Sequence, residues 1–204
     1  MKPPRKTRIQ QKNSQAILDA ALEVFSRHGY RGSTLDQIAN EAGLSKPNLI
    51  YYFPSKEVIH VTLLSDMLET WLAPLHSLDP AGDPIEEILG YVRQKLEMSR
   101  SRPRESRLFA NEVLQGAPRI MEAIKGELRD LVDEKTAVIQ SWIDQGKIAP
   151  LDPKHLLFSI WATTQHYADF DVQVSAVLGS GANDHFPEAE AFLVDFYRRA
   201  LTPA

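Results

Sequence analysis

The sequence predicts an all-α protein of about nine helices, and three observations support that fold class. Apolar residues recur at i, i+3 and i+4 spacing through most of the 204 residues. Gly, Pro and capping residues separate these periodic stretches at the places where helices begin and end. We find no convincing run of alternating apolar and polar residues of the kind that half-buried strands show. With 43% apolar content, the chain is expected to bury a substantial core.

Three short helices open the chain. The first is predicted over residues 14–27, where apolar residues fall on one face. Thr34 has a side chain that caps helix amino ends, and Gly43 can take the left-handed conformation that ends a second helix. Ser45 caps a third helix, in which Pro47 occupies the first turn, where a missing N–H is tolerated.

Six longer helices follow, and a Pro, a Gly or an Asp-Pro pair marks most of their boundaries. A capping Asp directly before Pro opens two of them, because the aspartate accepts from free N–H groups and Pro needs none. The predicted ranges are 55–74, 84–100, 103–116, 118–146, 153–177 and 186–201.

Charge is divided unevenly along the chain. Residues 1–60 contain nine Lys and Arg against five Asp and Glu, whereas residues 61–204 contain fourteen against twenty-two. The net charge of −4 therefore hides a basic amino-terminal part of +4 and an acidic remainder of −8. Five positive charges precede Asp19 and indicate a flexible basic arm over residues 1–13. Such an arm can neutralise DNA phosphates, although the same composition is typical of a solubilising tail.

The second and third helices, with the turn between them, have the pattern of a helix-turn-helix. Leu49 faces inward with the i+4 residue Phe53, which leaves a donor-rich set facing outward. Hydroxyl, amide and ammonium groups suit phosphates and base edges, so this surface predicts binding to double-stranded DNA. The outward set is Lys46, Asn48, Tyr51 and Tyr52. One of the two tyrosines could instead fill the core of the motif, since adjacent helical residues point about 100° apart.

Residues 14–56 resemble the TetR family of transcriptional regulators. The similar motifs are FSRHGYRGST, DQIANEAGLSKPNLIYYF and PSKE. This resemblance implies a third helix in the major groove, with Lys46, Asn48, Tyr51 and Tyr52 at base edges and with Thr34 and Lys56 on phosphates. It also implies a homodimer that binds a palindromic operator. The domains would then be a DNA-binding domain over residues 14–54 and a ligand-binding and dimerisation domain over residues 55–204.

The resemblance extends into the carboxyl-terminal part of the chain. ESRLFANEVLQGAP and LVDEKTAVIQSWIDQGKIAPLDPKHLLFSIWATTQHYADF are similar to a branch of the family whose effectors are uracil and thymine. This similarity implies a ligand-responsive repressor of pyrimidine and nitrogen metabolism genes, with uracil or thymine as effector and no cofactor. A TetR-type regulator of a different small effector is the alternative.

Polar side chains interrupt the apolar helix predicted around WATTQHYADF, residues 161–170. Buried polar groups need hydrogen-bonding partners, and a ligand could supply them. A side-chain amide offers one donor and one acceptor, which matches the alternating N–H and C=O groups of uracil. The same groups could instead lie between subunits of a dimer. The candidate ligand contacts are Trp71, Phe109, Asn111, Trp161, Thr164, Gln165, His166 and Tyr167.

The sequence gives less support to other functions. The chain has no Cys, no apolar run approaching the roughly 20 residues that span a bilayer, and no secretory signal at its amino end. We therefore expect a cytoplasmic protein that does not associate with a membrane. His166 and Asp169 are too few to hold a metal, and Glu112 is expected to pair with Arg107. No catalytic motif is present, which leaves an enzyme acting on a pyrimidine, or an adaptor protein, as weaker hypotheses.

Overall fold

The computed structural model describes residues 8–179, 181 and 185–203, and within that part the chain is all-α with no strand. The described residues form ten helices, and one of them, α7, is built from three contiguous segments of which the second is π-helical. The helices are α1 Arg8–Gly32, α2 Leu35–Glu41, α3 Lys46–Tyr52, α4 Lys56–His76, α5 Pro84–Ser101, α6 Pro103–Leu114, α7 Met121–Ala123 with Ile124–Leu128 and Arg129–Asp144, α8 Pro153–Asp169, α9 Asp171–Leu178 and α10 Phe186–Leu201.

The predicted all-α fold is confirmed, and the additional helix arises from a break in the predicted helix over 153–177. The Phe170 backbone leaves the helical region (φ −119°, ψ 30°), although its N–H still donates to the carbonyl of His166 at 3.0 Å. A second helix then starts at Asp171. No Pro or Gly marks this break, which explains why helix periodicity did not show it.

The first helix begins earlier than the sequence indicated. Residues 8–13, which we assigned to the basic arm, form the opening turns of α1. The rest of that arm lies outside the described residues. Gly29 has φ 66° and ψ 169°, so the regular helix ends at the predicted glycine even though helical turns resume to Gly32.

Side-chain caps fix the helix starts where the sequence placed them. Thr34 and Gln37 form a reciprocal capping box at the start of α2. Asp83 accepts from the N–H of Glu86 at 3.0 Å, and Asp152 accepts from the N–H of His155 at 3.0 Å. Each of the two aspartates stands directly before the Pro that opens α5 or α8, which confirms the cap-and-proline prediction.

The chain separates into two compact units, Met1–Met67 and Leu68–Ala204. The sequence placed the boundary between residues 54 and 55, whereas the division lies within α4. In the second unit, α5 packs against α8 and α10, and α8 also packs against α6 and α7. Its core includes Leu75, Leu89, Trp142, Ile160 and Tyr197, all fully or almost fully buried.

Candidate nucleic-acid interface and ligand site

The helix-turn-helix of the first unit has a tightly packed interior. Ile38 of α2 and Leu49 of α3 are completely buried. Gly43 has φ 66°, and the N–H of Leu44 returns to the carbonyl of Ala39 at 2.9 Å, so the chain reverses within a few residues. The turn and these two buried side chains therefore hold α3 against α2.

The predicted base-contacting residues lie on the outer face of α3. Lys46, Asn48 and Tyr51 are exposed, and Tyr51 reaches 72% exposure. Tyr52 is half-buried, and its hydroxyl accepts a 2.8 Å hydrogen bond from the Asn13 side chain. Neither tyrosine fills the core of the motif, so the structure favours the outward arrangement of this set.

The cation of Lys46 already has a partner on the surface. Its ammonium lies 2.9 Å from a carboxylate oxygen of Asp36, and both side chains are largely exposed. An exposed ion pair contributes little to stability. Lys46 can therefore exchange this carboxylate for a phosphate at low cost.

Thr34 and Lys56 meet around the same turn at the start of α2. Thr34 is exposed, and its hydroxyl accepts from the N–H of Gln37 at 3.2 Å. The Lys56 ammonium donates to the main-chain carbonyls of Tyr30 at 2.7 Å and Ser33 at 2.6 Å, and it lies 4.5 Å from the centre of the Tyr30 ring. Two of its three N–H donors are thus used within the protein, which leaves one for a phosphate.

In the second unit, the structure brings together several of the predicted ligand contacts. The rings of Trp71 on α4 and Phe109 on α6 meet edge to face with centroids 4.8 Å apart. The indole N–H of Trp161 on α8 donates to the hydroxyl of Tyr91 on α5 at 2.7 Å. Burial raises the pKa of the Tyr91 phenol, with the Trp161 hydrogen bond acting in the opposite direction.

The polar residues of α8 do not all turn toward the interior. Thr164 is fully buried, but its hydroxyl donates to the carbonyl of Ile160 at 2.7 Å and is satisfied within its own helix. Gln165 is half-buried, as is Tyr167, which stacks on His185 with ring centroids 5.8 Å apart. His166 is exposed.

Asn111, the other amide that we favoured as a ligand contact, is also exposed, on α6. In this conformation, Asn111 and His166 are therefore not brought into the interior with the aromatic residues.

Three polar residues of the second unit were not among our predicted ligand contacts, and one of them, Lys95, lies over the ring of Trp71. Lys95 of α5 is only 4% exposed, and its ammonium lies 5.8 Å from the centre of the Trp71 ring. Burial lowers the pKa of Lys95 to about 8, while the charge of Asp169 acts to raise it. Asp169 accepts a 2.6 Å hydrogen bond from the Ser106 hydroxyl. Burial raises the pKa of the Asp169 carboxyl, and the Ser106 hydrogen bond opposes that effect.

A pattern in the sequence could have identified Lys95. It stands three residues after Val92 and seven after Ile88, on the apolar face of an amphipathic helix. A lysine on that face is buried unless its chain reaches solvent, and buried lysines are rare without a specific role.

The expected ion pair between Glu112 and Arg107 is wrong. Glu112 is buried and accepts from Arg119, both from its main-chain N–H at 2.8 Å and from its guanidinium at 3.0 Å. Arg107 instead lies 3.1 Å from the carboxylate of Asp171 and donates to the carbonyl of Ala168 at 3.1 Å. Both arginines therefore hold chain breaks in place, one after α6 and the other between α8 and α9.

Aromatic residues are exposed on the two long carboxyl-terminal helices. Phe192 and Phe196 of α10 stack with centroids 6.1 Å apart and are 63% and 50% exposed, and Phe158 of α8 is also exposed. The buried Tyr197 hydroxyl lies 2.9 Å from the Thr163 hydroxyl and so ties α10 to α8. Exposed aromatic side chains of this kind are typical of a protein interface.

The described part of the chain contains neither a cluster of metal ligands nor a membrane-spanning helix. No group of three or more His, Cys, Asp or Glu side chains is arranged there to hold a metal ion. None of the described helices is long and apolar enough to span a bilayer.

Comparison with protein families matches both units. Residues 17–60 match the model of bacterial regulatory proteins of the tetR family. Residues 64–204 match the model of the carboxyl-terminal region of YcdC-like proteins, which covers more than half of the chain.

Individual proteins agree with these assignments. The HTH-type transcriptional regulator RutR of Escherichia coli K12 is 49% identical over 180 residues, which cover 88% of this chain and 85% of that protein. A tetR-family regulatory protein from Rhodococcus RHA1 superposes with a TM-score of 0.76 at 19% identity, covering 95% of this chain and 98% of that one. The regulator AibR, solved with isovaleryl coenzyme A and operator DNA, gives a TM-score of 0.67 at 17% identity, with coverage of 90% and 97%. The last two likenesses concern the fold alone.

Proposed function

Because this chain belongs to the TetR family of transcriptional regulators, we propose that it is a pyrimidine-responsive repressor that binds a palindromic operator as a homodimer. The family and the relatives are DNA-binding regulators and not enzymes. The observation that carries the proposal is the 49% identity to RutR, which runs through both units. The expected site of action is the bacterial cytoplasm, where operator DNA lies.

The outer face of α3 is the proposed reading surface. Asn48 can form a paired hydrogen bond with adenine, and the Tyr51 hydroxyl and Lys46 ammonium can reach bases or phosphates. Thr34 and the remaining donor of Lys56 lie at the start of α2, where free N–H groups and the helix dipole favour a phosphate. The capping box and the two carbonyl bonds of Lys56 support this role because they hold the turn in one conformation.

A homodimer accounts for the exposed aromatic residues of α8 and α10. Phe158, Phe192 and Phe196 would be covered by the same residues of a second copy, since a two-fold interface places one patch against itself. Two helices from each subunit then form a four-helix interface. Such a dimer can present two α3 helices to half-sites about one DNA turn apart, which suits a palindromic operator.

The proposed effector site lies in the second unit, around the edge-to-face pair Trp71 and Phe109. A flat pyrimidine ring can stack on such aromatic surfaces, and Gln165 can supply a paired donor and acceptor. Trp161 and Tyr91 would form a wall whose polar atoms already satisfy each other. Trp71 belongs to α4, the same helix that carries Lys56 at its other end, so movement of α4 can connect ligand binding to DNA binding.

The test is a binding experiment on the full chain with DNA and pyrimidines. An operator is first selected from a random duplex library, and its affinity is then measured by fluorescence anisotropy with and without uracil, thymine, cytosine and uridine. We expect uracil or thymine to change operator affinity. By linkage, the operator must then change the affinity for that pyrimidine by the same factor.

The outcomes separate the two parts of the proposal. Selection of a palindromic duplex without any response to pyrimidines would leave a TetR-family repressor of a different small effector. Failure to enrich any duplex sequence would contradict the proposed DNA reading itself.

A further inference from the structure

Two side-chain hydrogen bonds join the opening turns of α1 to the carboxyl end of α3. The Asn13 amide donates to the Tyr52 hydroxyl at 2.8 Å, and the Gln10 amide donates to the Tyr51 hydroxyl across a longer distance of 3.4 Å. The partners are 39 and 41 residues apart in sequence, so neither bond belongs to the helix-turn-helix itself. Through these bonds α1 contacts the helix that carries the proposed reading surface.

The direction of the Asn13 bond determines what the Tyr52 hydroxyl can do next. The amide nitrogen supplies the hydrogen of this bond, so the phenol oxygen is its acceptor. The phenol keeps its own single hydrogen for a second partner, and that partner must be an acceptor. Asn13 and Tyr52 are both half-buried, which shields their bond from competing water better than the exposed bond of Gln10.

The place of Tyr52 on α3 indicates which acceptor it meets. Tyr52 is the last residue of this helix, which begins at Lys46. In a helix-turn-helix, residues near the amino end of the recognition helix contact base edges. We therefore expect a hydroxyl at the opposite end to lie nearer to the DNA backbone, whose phosphate oxygens accept hydrogen bonds from tyrosine. The Tyr52 ring also packs edge to face on Tyr51, with centroids 5.2 Å apart, which restricts its rotation.

We propose that Asn13 is a positioning residue for DNA binding: its bond to the Tyr52 oxygen directs the Tyr52 O–H to a phosphate of the operator. The inference rests on the proposed DNA-binding function and adds a residue of α1 to the groups that determine operator affinity. Asn13 acts through the tyrosine and does not itself contact the phosphate. An amide suits this role because it can donate to the phenol oxygen, whereas a carboxylate would accept the phenol hydrogen.

The first test is a double-mutant cycle of operator affinity in the full chain. Asn13→Ala, Tyr52→Phe and the double variant are compared with the unchanged protein by fluorescence anisotropy, on the duplex selected from the random library. We expect each single change to weaken binding by about 2- to 10-fold for each half-site, the effect of one neutral hydrogen bond. In the Tyr52→Phe background, Asn13→Ala should have no further effect, because its contribution passes through the hydroxyl.

A change in the DNA identifies the phosphate. Each phosphate of the duplex is replaced in turn by a methylphosphonate, in which a methyl group takes the place of one acceptor oxygen. At the phosphate that Tyr52 contacts, this replacement should weaken binding of the unchanged protein more than binding of Tyr52→Phe or Asn13→Ala. A role of Asn13 in stability alone would not produce a difference confined to one phosphate of each half-site.

Asn13→Asp tests the direction of the hydrogen bond. The carboxylate accepts the phenol hydrogen and so withdraws it from the phosphate. Its negative charge also repels the DNA, and the same replacement in the Tyr52→Phe background measures that repulsion separately. We expect Asn13→Asp to weaken operator binding more when the Tyr52 hydroxyl is present than when it is absent.

Gln15→Ala provides a matched control on the same helix. Gln15 is exposed, and its amide donates to Asp19 of α1 at 2.9 Å. Its replacement removes an amide from α1 without touching the Tyr52 bond and should leave operator affinity unchanged. Urea unfolding of every variant shows whether each is folded.

Equal operator affinity of the unchanged protein and folded Asn13→Ala would overturn the inference while the proposed repressor stands. So would an equal loss from Asn13→Ala with and without the Tyr52 hydroxyl, because Asn13 would then act independently of the tyrosine. Failure of the unchanged protein to enrich any duplex would overturn both the inference and the proposed DNA binding.

Discussion

The Lys56 ammonium donates a 2.6 Å hydrogen bond to the main-chain carbonyl of Ser33. This bond, with a second one to the carbonyl of Tyr30, joins the start of α4 to the chain just before α2. A residue that the family resemblance places on a phosphate therefore also holds the turn from which Thr34 caps α2. One side chain can serve both purposes because an ammonium has three donors.

Replacement of Lys56 by Met should lower the free energy of unfolding by about 1–2 kcal/mol, because two half-buried carbonyls lose a charged donor. Urea unfolding measures this effect. If Lys56 also contacts a phosphate, the slope of log affinity against log salt for operator DNA should fall by about 0.9. Lys46→Met is the control for stability, since its exposed ion pair with Asp36 should contribute almost nothing. A stability equal to that of the unchanged protein would contradict the bracing role of Lys56.

Lys46 and Asp36 form a second test of the DNA surface. Lys46→Ala should weaken DNA binding and reduce its salt dependence by about one phosphate contact. Asp36→Asn should strengthen binding, because it frees Lys46 and removes a negative charge beside the phosphates. Lys154→Ala is the matched control, as Lys154 forms a similarly exposed pair with Asp133 in the other unit. An unchanged salt slope in Lys46→Ala would show that this cation does not meet the DNA.

Local signals predicted the helix starts well. Thr34, Ser45, Asp83 and Asp152 all cap the helices that the sequence assigned to them, because a cap depends on residues within one turn. The break at Phe170 was missed because no residue there prevents a helix from continuing. It is held instead by contacts distant in sequence, including the bonds from Arg107 to Ala168 and Asp171.

The candidate ligand site was predicted less completely, for a similar reason. Trp71 and Phe109, two of the predicted ligand contacts, do touch each other. Polarity alone did not distinguish the inward residues of α8 from His166, which faces outward. Thr164 satisfies its hydroxyl within its own helix, so a buried polar residue did not by itself indicate a ligand. The partners of a side chain depend on which helices pack against each other, and the spacing of apolar residues within one helix does not predict that packing.

The exposed aromatic residues of α10 provide a test of the proposed dimer. Phe192→Glu places a charge in the proposed interface, where it would be buried without a partner, and should convert the dimer to a monomer. Sedimentation velocity measures the change, and operator affinity should fall with it because two linked reading helices bind more tightly than one. Leu114→Glu serves as control, since Leu114 is 82% exposed but lies on α6. If Phe192→Glu stays dimeric, the interface lies elsewhere.

The buried ammonium of Lys95 predicts a dependence of stability on pH. Its pKa in the folded chain is about 8, against an ordinary value of 10.5, because burial disfavours the charged form. Between these values the unfolded chain binds more protons than the folded chain, so the contribution of Lys95 to stability rises with pH in this range. Below pH 8, burial of the charged Lys95 lowers the free energy of unfolding by on the order of 3 kcal/mol.

We therefore expect Lys95→Met to be more stable than the unchanged protein at pH 7, with the difference in stability narrowing toward pH 10. Urea unfolding of both proteins at several pH values measures that difference, in which the titration of other groups largely cancels. If Lys95→Met is instead less stable than the unchanged protein at pH 7, interactions within the protein stabilise the buried ammonium, and its burial does not lower the stability of the fold.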